Sequence, residues 1–218
     1  MSHNDSDTMP HPRSKVQSMT SQELSTAPNT MRNVSFAVVD FETTGLNPEI
    51  DRIVQLAAVI VNGEGHIVDS FDTIVRPESP DEYQHGAEHI HGISAEQVSS
   101  GMPLRKALEQ LWSINAGHVF TAHNAAFDLG FLHAESKRVG LEGHVDVHVD
   151  TLELARRTTG ADTTRKHNLF ALCEHYGIKR DKEHDAKSDA TATAQLLMHL
   201  MKEIGVETVD QVAELFAP

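Results

Sequence analysis

Apolar segments in the first part of the chain predict three consecutive β-strands. The segment 34–41 is apolar almost throughout, which is typical of a strand that is buried on both faces. The segments 52–62 and 66–75 follow it and flank Gly63–Glu64–Gly65, a sequence that favours a hairpin turn. The domain is therefore predicted to open with a three-stranded meander.

The remainder of the chain alternates between strand and helix patterns. Apolar residues at helical spacing predict a helix over 103–115, and the short apolar segment 118–123 predicts a buried strand. Asn124 is placed to cap the helix that follows, and 144–151 alternates like a half-buried strand. Further helices are predicted over 152–158, 168–176, 186–203 and 207–216. Together these elements predict an α/β fold with a mixed five-stranded sheet flanked by helices.

The first 32 residues differ in composition from the rest of the chain. They are rich in Ser, Thr, Asn, Asp and Pro and show no hydrophobic periodicity. Such a segment buries too little apolar surface to offset the entropy of ordering it, so 1–32 is predicted to be a disordered leader. The alternative is that it adds an edge strand or docks on a partner. Residues 33–218 are predicted to form one domain.

The acidic composition limits how this protein can bind nucleic acid. Acidic residues number 32 against 18 Lys plus Arg, and the resulting net charge of −14 disfavours a broad electrostatic contact with phosphates. A phosphodiester substrate would therefore need metal ions and a few local cations to offset the repulsion.

The cysteine and hydropathy patterns bear on the cellular compartment. A single cysteine, Cys173, excludes an internal disulfide framework and a cysteine-rich zinc site, and it fits a reducing compartment. No apolar run approaches the ~18–20 residues of a membrane span, and the N-terminus lacks the apolar core of a signal peptide. We expect a soluble, cytoplasmic protein.

Four acidic residues stand where a buried position is expected. Asp40 and Glu42 lie two residues apart at the end of the first strand, so their side chains point to the same face. Asp128 and Asp189 each head the apolar stripe of a predicted helix rather than its polar face. Carboxylates this close repel one another unless a cation lies between them. A divalent metal ion is one explanation, and solvated charges at a strand end and a helix N-terminus are the other.

A histidine close to the last of these acids suggests proton transfer. His184 lies five residues before Asp189, ahead of the predicted helix, which indicates a loop and a movable imidazole. Its unperturbed pKa of ~6.5 suits proton abstraction near neutrality, so His184 is a candidate general base. Three histidines within 85–91 also suggest zinc, but without a nearby cysteine they match known ligand spacing poorly.

Three short motifs resemble those of a known nuclease family. They are DFETTGL (40–46), HNAAFDLGFL (123–132) and HDAKSDA (184–190). In this order they resemble the three exonuclease motifs of the DnaQ-like, or DEDDh, 3′–5′ exonucleases, the family of the proofreading epsilon subunit of bacterial DNA polymerase III. HIHGIS (89–94) resembles a further landmark of the family.

The resemblance implies a ribonuclease H-like fold and a mechanism with two Mg²⁺ ions, for which Mn²⁺ could substitute. By motif, Asp40 would bridge both ions. Glu42 and Asp189 would help to hold the ion that activates water, and Asp128 would hold the other. His184 would take the proton from that water, and its spacing from Asp189 matches the histidine subclass. Three nearby acids are not expected to be catalytic: Asp146, Asp150 and Asp185.

The resemblance also implies which residues contact the 3′-terminal nucleotide. Thr43, Thr44 and Leu46 would line it, His91 would approach its sugar, and Phe127 its neighbouring base. Core packing is the alternative for Leu46 and Phe127, and a hydrogen-bonded loop histidine is the alternative for His91.

The expected function is a metal-dependent 3′–5′ exonuclease acting on single-stranded or frayed DNA ends, either stand-alone or loosely associated with a polymerase. An RNA 3′-trimming enzyme similar to oligoribonuclease is the nearest alternative. A non-catalytic nucleic-acid-binding subunit is another, and loss of one motif acid would be its expected sign. All five motif residues are present in this chain.

Overall fold

The computed structural model describes residues 16–17, 31–78, 83–159 and 166–216. The strands in these ranges are β1 (Val16–Gln17), β2 (Ser35–Thr43), β3 (Ile53–Asn62), β4 (Ile67–Arg76), β5 (Met102–Pro103), β6 (Val119–Ala122), β7 (Gly143–His144) and β8 (His148–Asp150). The helices are α1 (Glu88–His91), α2 (Ala95–Ser99), α3 (Leu104–Asn115), α4 (Ala125–Arg138), α5 (Thr151–Thr159), α6 (Leu169–Tyr176), α7 (Ala186–Glu203) and α8 (Val209–Val212).

A six-stranded mixed sheet forms the centre, in the order β5-β4-β3-β2-β6-β8. The strands β2, β3 and β4 pair antiparallel, which confirms the predicted meander. The β2–β6, β6–β8 and β4–β5 pairs are parallel, so the sheet is mixed, as predicted. The sixth strand, β5, was not predicted because two residues are too short to show a strand period.

The predicted last strand, 144–151, divides into two parts. Only His148–Asp150 joins the central sheet, whereas Gly143–His144 pairs in parallel with Val16–Gln17. Val16–Gln17 and Gly143–His144 form a two-stranded sheet apart from the central one, so this pair does not extend the central sheet. The other leader residues up to 30 lie outside the described ranges, so their disorder stays a prediction. Met31–Asn33 forms a short 3₁₀ turn before β2.

The predicted helices are found with small changes at their ends. The stripe over 103–115 forms α3, and the three predicted segments between 152 and 203 form α5, α6 and α7. The last predicted helix is shorter than expected, since α8 gives way to a 3₁₀ turn at Ala213–Leu215.

Alternate residues of β2 pack into two different layers. Phe36 and Val38 belong to a core cluster with α5, α6 and α7, whereas Val39 and Phe41 belong to a cluster with α3 and α4. The strand is thus buried on both faces, as its continuous apolar sequence predicts. The alternation decides which layer each acid at the end of β2 faces.

Candidate active site

The first two acids lie at the end of the central strand β2. Asp40 and Glu42 continue the face of Phe36 and Val38, so both carboxylates point toward the α7 layer. Asp40 is half-buried and Glu42 is buried. The strand register shifts directly after Glu42, and Thr43 still pairs with Ile53 beyond the shift.

Asp128 reaches the same region from α4. It lies in the first turn of the helix and is buried, and Phe131 and Leu132 follow it on the buried face, as the stripe predicted. The backbone of Phe41 lies close enough to the Asp128 carboxylate to lower its pKa. The second motif therefore lies beside the strand that carries Asp40 and Glu42.

The predicted side-chain cap of α4 by Asn124 is wrong. Asn124 is left-handed, with φ of 70°, and its side chain makes no capping hydrogen bond. The Asp150 carboxylate accepts hydrogen bonds from the backbone N–H groups of Asn124 (3.0 Å) and Ala125 (3.1 Å) instead. It also accepts one from Leu152 N–H at 2.9 Å, so a single carboxylate holds the starts of α4 and α5.

Asp189 is buried in the first turn of α7 and is paired with an arginine that the sequence analysis did not single out. Arg180 Nη1 lies 3.1 Å from Asp189 Oδ1, and Arg180 Nη2 lies 3.0 Å from Glu183 Oε1. The guanidinium also stacks over the Phe170 ring, 5.6 Å from its centroid. No sequence rule could find this pair because Arg180 precedes the helix in a loop, where residue spacing does not fix geometry.

His184 lies in the turn before α7, as predicted, and its side chain is exposed. Its φ of 53° is left-handed, an uncommon conformation for a residue with a Cβ. The possible ligand atoms of Glu42, His184 and Asp189 all lie within 4.8 Å of one another. The imidazole is therefore beside the carboxylates and open to solvent.

Burial and neighbouring negative charges raise the pKa values of Asp40, Glu42 and Asp128. Burial raises the pKa of Asp40 well above its usual value, and the charges of Asp128, Glu42 and Asp189 raise it further. Burial also raises the pKa of Glu42 to about 7, with Asp189 as the next cause. Burial raises the pKa of Asp128 strongly, against hydrogen bonds that lower it. These mutual effects require that residues from three separate segments face one small volume.

The pKa of Asp189 shows a different balance. Burial raises it, whereas the positive charge of Arg180 is the strongest effect that lowers it. Arg180 thus favours the ionised form of one carboxylate in a cluster that otherwise opposes ionisation.

This set of side chains fits a divalent cation. Carboxylate oxygens are the ligands that Mg²⁺ and Mn²⁺ prefer, and an imidazole nitrogen is acceptable to Mn²⁺. A cation would also remove the repulsion that raises the pKa values of Asp40, Glu42 and Asp128. Among the described residues, Glu42, His184 and Asp189 form a group whose possible ligand atoms suit one such ion, and a centre that also includes Asp40 and Asp128 stays a prediction.

The three acids that were not expected to be catalytic each have another partner. Asp150 holds the two helix starts, as described above. Asp185 caps α7, accepting a hydrogen bond from Ser188 N–H at 3.1 Å. Asp146 Oδ1 lies 3.3 Å from His144 Nε2 on the surface.

The two predicted substrate-contacting threonines form part of a well-bonded loop. Thr43 Oγ1 donates to the Gly45 carbonyl at 2.6 Å, and Thr44 Oγ1 donates to Asp51 Oδ1 at 3.1 Å. A Cβ on Gly45 would come within 2.5 Å of Asp51 Oδ2, so only glycine fits at this turn. The loop that follows β2 is thereby held close to the acids.

Leu46 and Phe127 differ in exposure. Leu46 is 84% exposed, which excludes core packing as the reason for its position. Phe127 is half-buried, packing at 4.9 Å between ring centroids against Phe131. Each side chain thus leaves apolar surface open, and the predicted contacts with a nucleotide stay predictions.

His91 is buried, and backbone groups occupy both of its ring nitrogens. Nε2 donates to the Gly86 carbonyl at 3.1 Å, and Nδ1 accepts from Ile93 N–H at 3.0 Å. These bonds match the loop-histidine alternative, and a contact with the sugar stays a prediction. Within the described ranges, the histidines of 85–91 form no group of three potential metal ligands.

No helix in the described part of the chain is both long and apolar enough to cross a membrane.

Comparisons with known proteins agree with this geometry. The family model described as Exonuclease (RNase_T) matches residues 37–197. The PolC-type DNA polymerase III of Thermotoga petrophila is 31% identical over 191 residues, which cover 86% of this chain and 14% of that protein. The corresponding polymerase of Oceanobacillus iheyensis is 34% identical over 181 residues, covering 83% of this chain and 12% of that protein.

Solved structures share the fold. The nuclease domain of 3′hExo, a DEDDh family member bound to rAMP, superposes with a TM-score of 0.64 at 18% identity, covering 80% of this chain and 94% of that chain. Exonuclease X, in complex with 5′ overhanging duplex DNA, superposes with a TM-score of 0.59 at 25% identity. The superposition covers 83% of this chain and 98% of that chain. These neighbours confirm the predicted ribonuclease H-like α/β fold. Since the family model spans most of the chain, the protein belongs to the exonuclease family, which confirms the predicted resemblance to the DnaQ-like exonucleases.

Proposed function

We propose that this protein removes mononucleotides from single-stranded or frayed 3′ ends of DNA by a two-metal-ion mechanism. The observation that carries the proposal is the convergence of Asp40, Glu42, Asp128 and Asp189, with raised pKa values, beside the exposed His184. Carboxylates that oppose one another's ionisation favour bound divalent cations, and an exposed imidazole beside them can accept a proton.

The metal ions would be held by the four carboxylates of Asp40, Glu42, Asp128 and Asp189. When bound, Mg²⁺ or Mn²⁺ offsets the phosphate charge and stabilises the attacking and leaving oxygens of an in-line displacement. Glu42 and Asp189 are assigned to the side where water attacks, and Asp128 to the side of the leaving 3′ oxygen. Their raised pKa values mean that protons compete with the ions at low pH.

His184 is proposed to be the general base. A ring nitrogen accepts one proton from the attacking water, whose oxygen bonds to the terminal phosphorus. The phosphorus–oxygen bond to the preceding nucleotide's 3′ oxygen breaks, and that oxygen takes up a proton to become a new 3′-hydroxyl. Exposure of the imidazole in its turn lets the proton pass on to solvent.

The terminal nucleotide is proposed to lie against the loop that follows β2. The backbone at Thr43 and Thr44 borders the acids, and the exposed Leu46 is placed to wedge against an unstacked base. Phe127, on α4 beside Asp128, offers a half-exposed ring for the neighbouring base. His91 would reach the sugar only if a backbone hydrogen bond to its ring were exchanged.

The choice of DNA and a loose association with a polymerase rest on the relatives. The matched polymerases are DNA polymerase III proteins, and Exonuclease X was solved with duplex DNA. This chain spans only about an eighth of the polymerase relatives' length, so the association is proposed from the shared exonuclease segment alone.

The test uses 5′-labelled single-stranded DNA and the matching RNA, each with Mg²⁺, Mn²⁺ or EDTA. We expect a metal-dependent ladder that shortens from the 3′ end, faster on DNA, and no ladder with Asp40→Ala. Faster trimming of RNA would assign the protein to the RNA alternative. No cleavage of either strand by folded protein would contradict the proposal.

A further inference from the structure

Gln55 is a buried polar residue that no step above uses. It lies on β3, directly opposite Glu42 in the β2–β3 register, so both side chains are on the same face of the sheet. Its side chain is almost completely buried, at 6% exposure. Buried amides need hydrogen-bond partners for both the oxygen and the nitrogen.

Both partners of the Gln55 amide lie at the start of α7. Gln55 Nε2 donates to Asp185 Oδ2 at 3.3 Å, and Gln55 Oε1 accepts from Ala186 N–H at 3.2 Å. The residues are 130 and 131 positions apart in sequence, so these bonds join two distant segments. One amide therefore clamps the end of a turn and the first residue of a helix onto the sheet.

The clamped junction carries the third motif. The other oxygen of Asp185, Oδ1, caps the helix at Ser188 N–H, and the Asp185 carbonyl accepts from Asp189 N–H at 2.9 Å. Fixing Asp185 on both carboxylate oxygens thus fixes the position of Asp189. It also fixes the chain on the C-terminal side of His184, since Asp185 is the next residue. His184 has a left-handed backbone, a conformation that is kept only where surrounding contacts hold it.

We propose that Gln55 is a positioning residue for the exonuclease reaction. Its amide sets where His184 and Asp189 stand relative to Glu42, which lies on the strand paired with its own. The amide is suited to this because it offers a donor to the Asp185 carboxylate and an acceptor to Ala186 N–H at once. The expected effect on kcat rests on the proposed function, whereas the placement of the start of α7 rests on the two hydrogen bonds of the Gln55 amide.

The test compares Gln55→Met with a matched control in the full chain. Methionine keeps the length and the apolar stem but removes both hydrogen bonds. Lys187→Met is the control, because it breaks a different link between α7 and the sheet, the 2.7 Å pair of Lys187 with Asp72. The measurements are kcat and KM on a single-stranded oligonucleotide at saturating Mg²⁺, the melting temperature, and amide hydrogen exchange.

We expect Gln55→Met to lower kcat by about 10–100-fold, the range found when outer partners of metal ligands are removed, with KM changed by less than about twofold. Amide hydrogen exchange in Gln55→Met should be faster than in wild type at 184–190, which covers the turn and the start of α7. It should be unchanged in the remainder of α7. Gln55→Glu, which replaces the donor to Asp185 by a second carboxylate, should lower kcat at least as much as Gln55→Met, because the two carboxylates repel each other. Lys187→Met should stay within about twofold of wild type in kcat.

Three results would overturn the inference. The first is a kcat for Gln55→Met equal to that of the Lys187→Met control. The second is a loss of kcat that is fully explained by a lower melting temperature. The third is an amide hydrogen exchange rate at 184–190 that is the same as in wild type. If wild type cleaves nothing, the proposed function fails separately. In that case hydrogen exchange and Mn²⁺ affinity of Gln55→Met still decide whether the amide places this junction.

Discussion

At the residue scale, two side chains that are not acidic, His184 and Arg180, lie beside the four carboxylates of the site. His184 stands out because it is exposed, lies in a strained turn, and has its ring within 4.8 Å of Glu42 and Asp189 ligand atoms. Arg180 is the counterpart, a cation that pairs with Asp189 and lowers its pKa. His184 is thus placed for proton transfer beside the carboxylates, and Arg180 is placed to stabilise the ionised form of Asp189.

Replacing His184 should remove the general base and leave the fold intact. We predict that His184→Ala lowers kcat by about 10²–10⁴-fold, the usual effect of losing a positioned acid or base. The melting temperature should change little, since the side chain is exposed. The matched control is His133→Ala, since His133 is also an exposed histidine but lies on α4. This variant should keep the kcat of wild type. Equal activity of the two variants would rule out the assignment.

Glu42 should make the metal-free protein less stable as the pH rises. Its pKa is raised to about 7, above the ordinary 4.5, so the folded state binds the proton more tightly than the unfolded state. Stability from this group is therefore full below pH ~4.5 and is lost as the pH rises toward 7. In EDTA, the melting temperature of Glu42→Gln minus that of wild type should grow between pH 5 and pH 8. A constant or shrinking difference would contradict the raised pKa.

At the element scale, two helix starts are held by side chains from distant strands. Asp150, at the end of β8, holds α4, and Gln55, on β3, holds α7. Both helices begin with a motif acid in their first turn, Asp128 and Asp189. The sheet thus fixes the two helices that bring the second and third motifs to β2.

Loss of the Asp150 carboxylate should destabilise the start of α4. Asp150→Ala leaves the N–H groups of Asn124 and Ala125 without their acceptor, and removing an N-cap costs about 0.5–2 kcal/mol. We predict this decrease in the free energy of unfolding from urea titration. Asp146→Ala, which removes a surface pair with His144, should change it by less than about 0.5 kcal/mol. A smaller loss for Asp150→Ala than for Asp146→Ala would refute the capping role.

The elements also show where sequence reasoning succeeds. The two-residue period of β2 placed Asp40 and Glu42 on one face, and the helical stripes placed Asp128 and Asp189 on buried faces. These are local periodicities, which the sequence carries directly. The cap of α4 was assigned to Asn124 for the same local reason, and wrongly, because Asp150 is 26 residues away. The contacts of Arg180 and Gln55 depend on loop paths and strand register, which no local pattern encodes.

At the scale of the whole molecule, the net charge of −14 opposes binding of a polyanion. Attraction must be confined to the metal site and to a few cations near it, such as Arg180 and Lys182. The exposed Leu46 adds an apolar contact that does not depend on charge. Substrate binding should therefore involve a small number of phosphates close to the 3′ end.

This charge distribution predicts a weak dependence on monovalent salt. A protein with six to ten phosphate contacts loses roughly 10³–10⁵ in affinity between 50 and 200 mM salt. We predict that KM for a single-stranded oligonucleotide at fixed Mg²⁺ rises by less than about twentyfold over that range, the change expected from two or three contacts to a single strand. A steep rise would reveal an extended binding surface that the described residues do not suggest.

Calorimetry of Mn²⁺ binding, run alongside an assay of 3′-end hydrolysis, is the measurement that decides whether these carboxylates hold the ions that hydrolysis needs. We predict that wild type binds two ions per chain, that hydrolysis follows their occupancy, and that Asp40→Asn loses both ion binding and hydrolysis while remaining folded. Hydrolysis that persists in EDTA would contradict a metal-dependent reaction, and Mn²⁺ binding by Asp40→Asn equal to that of wild type would contradict the role of Asp40.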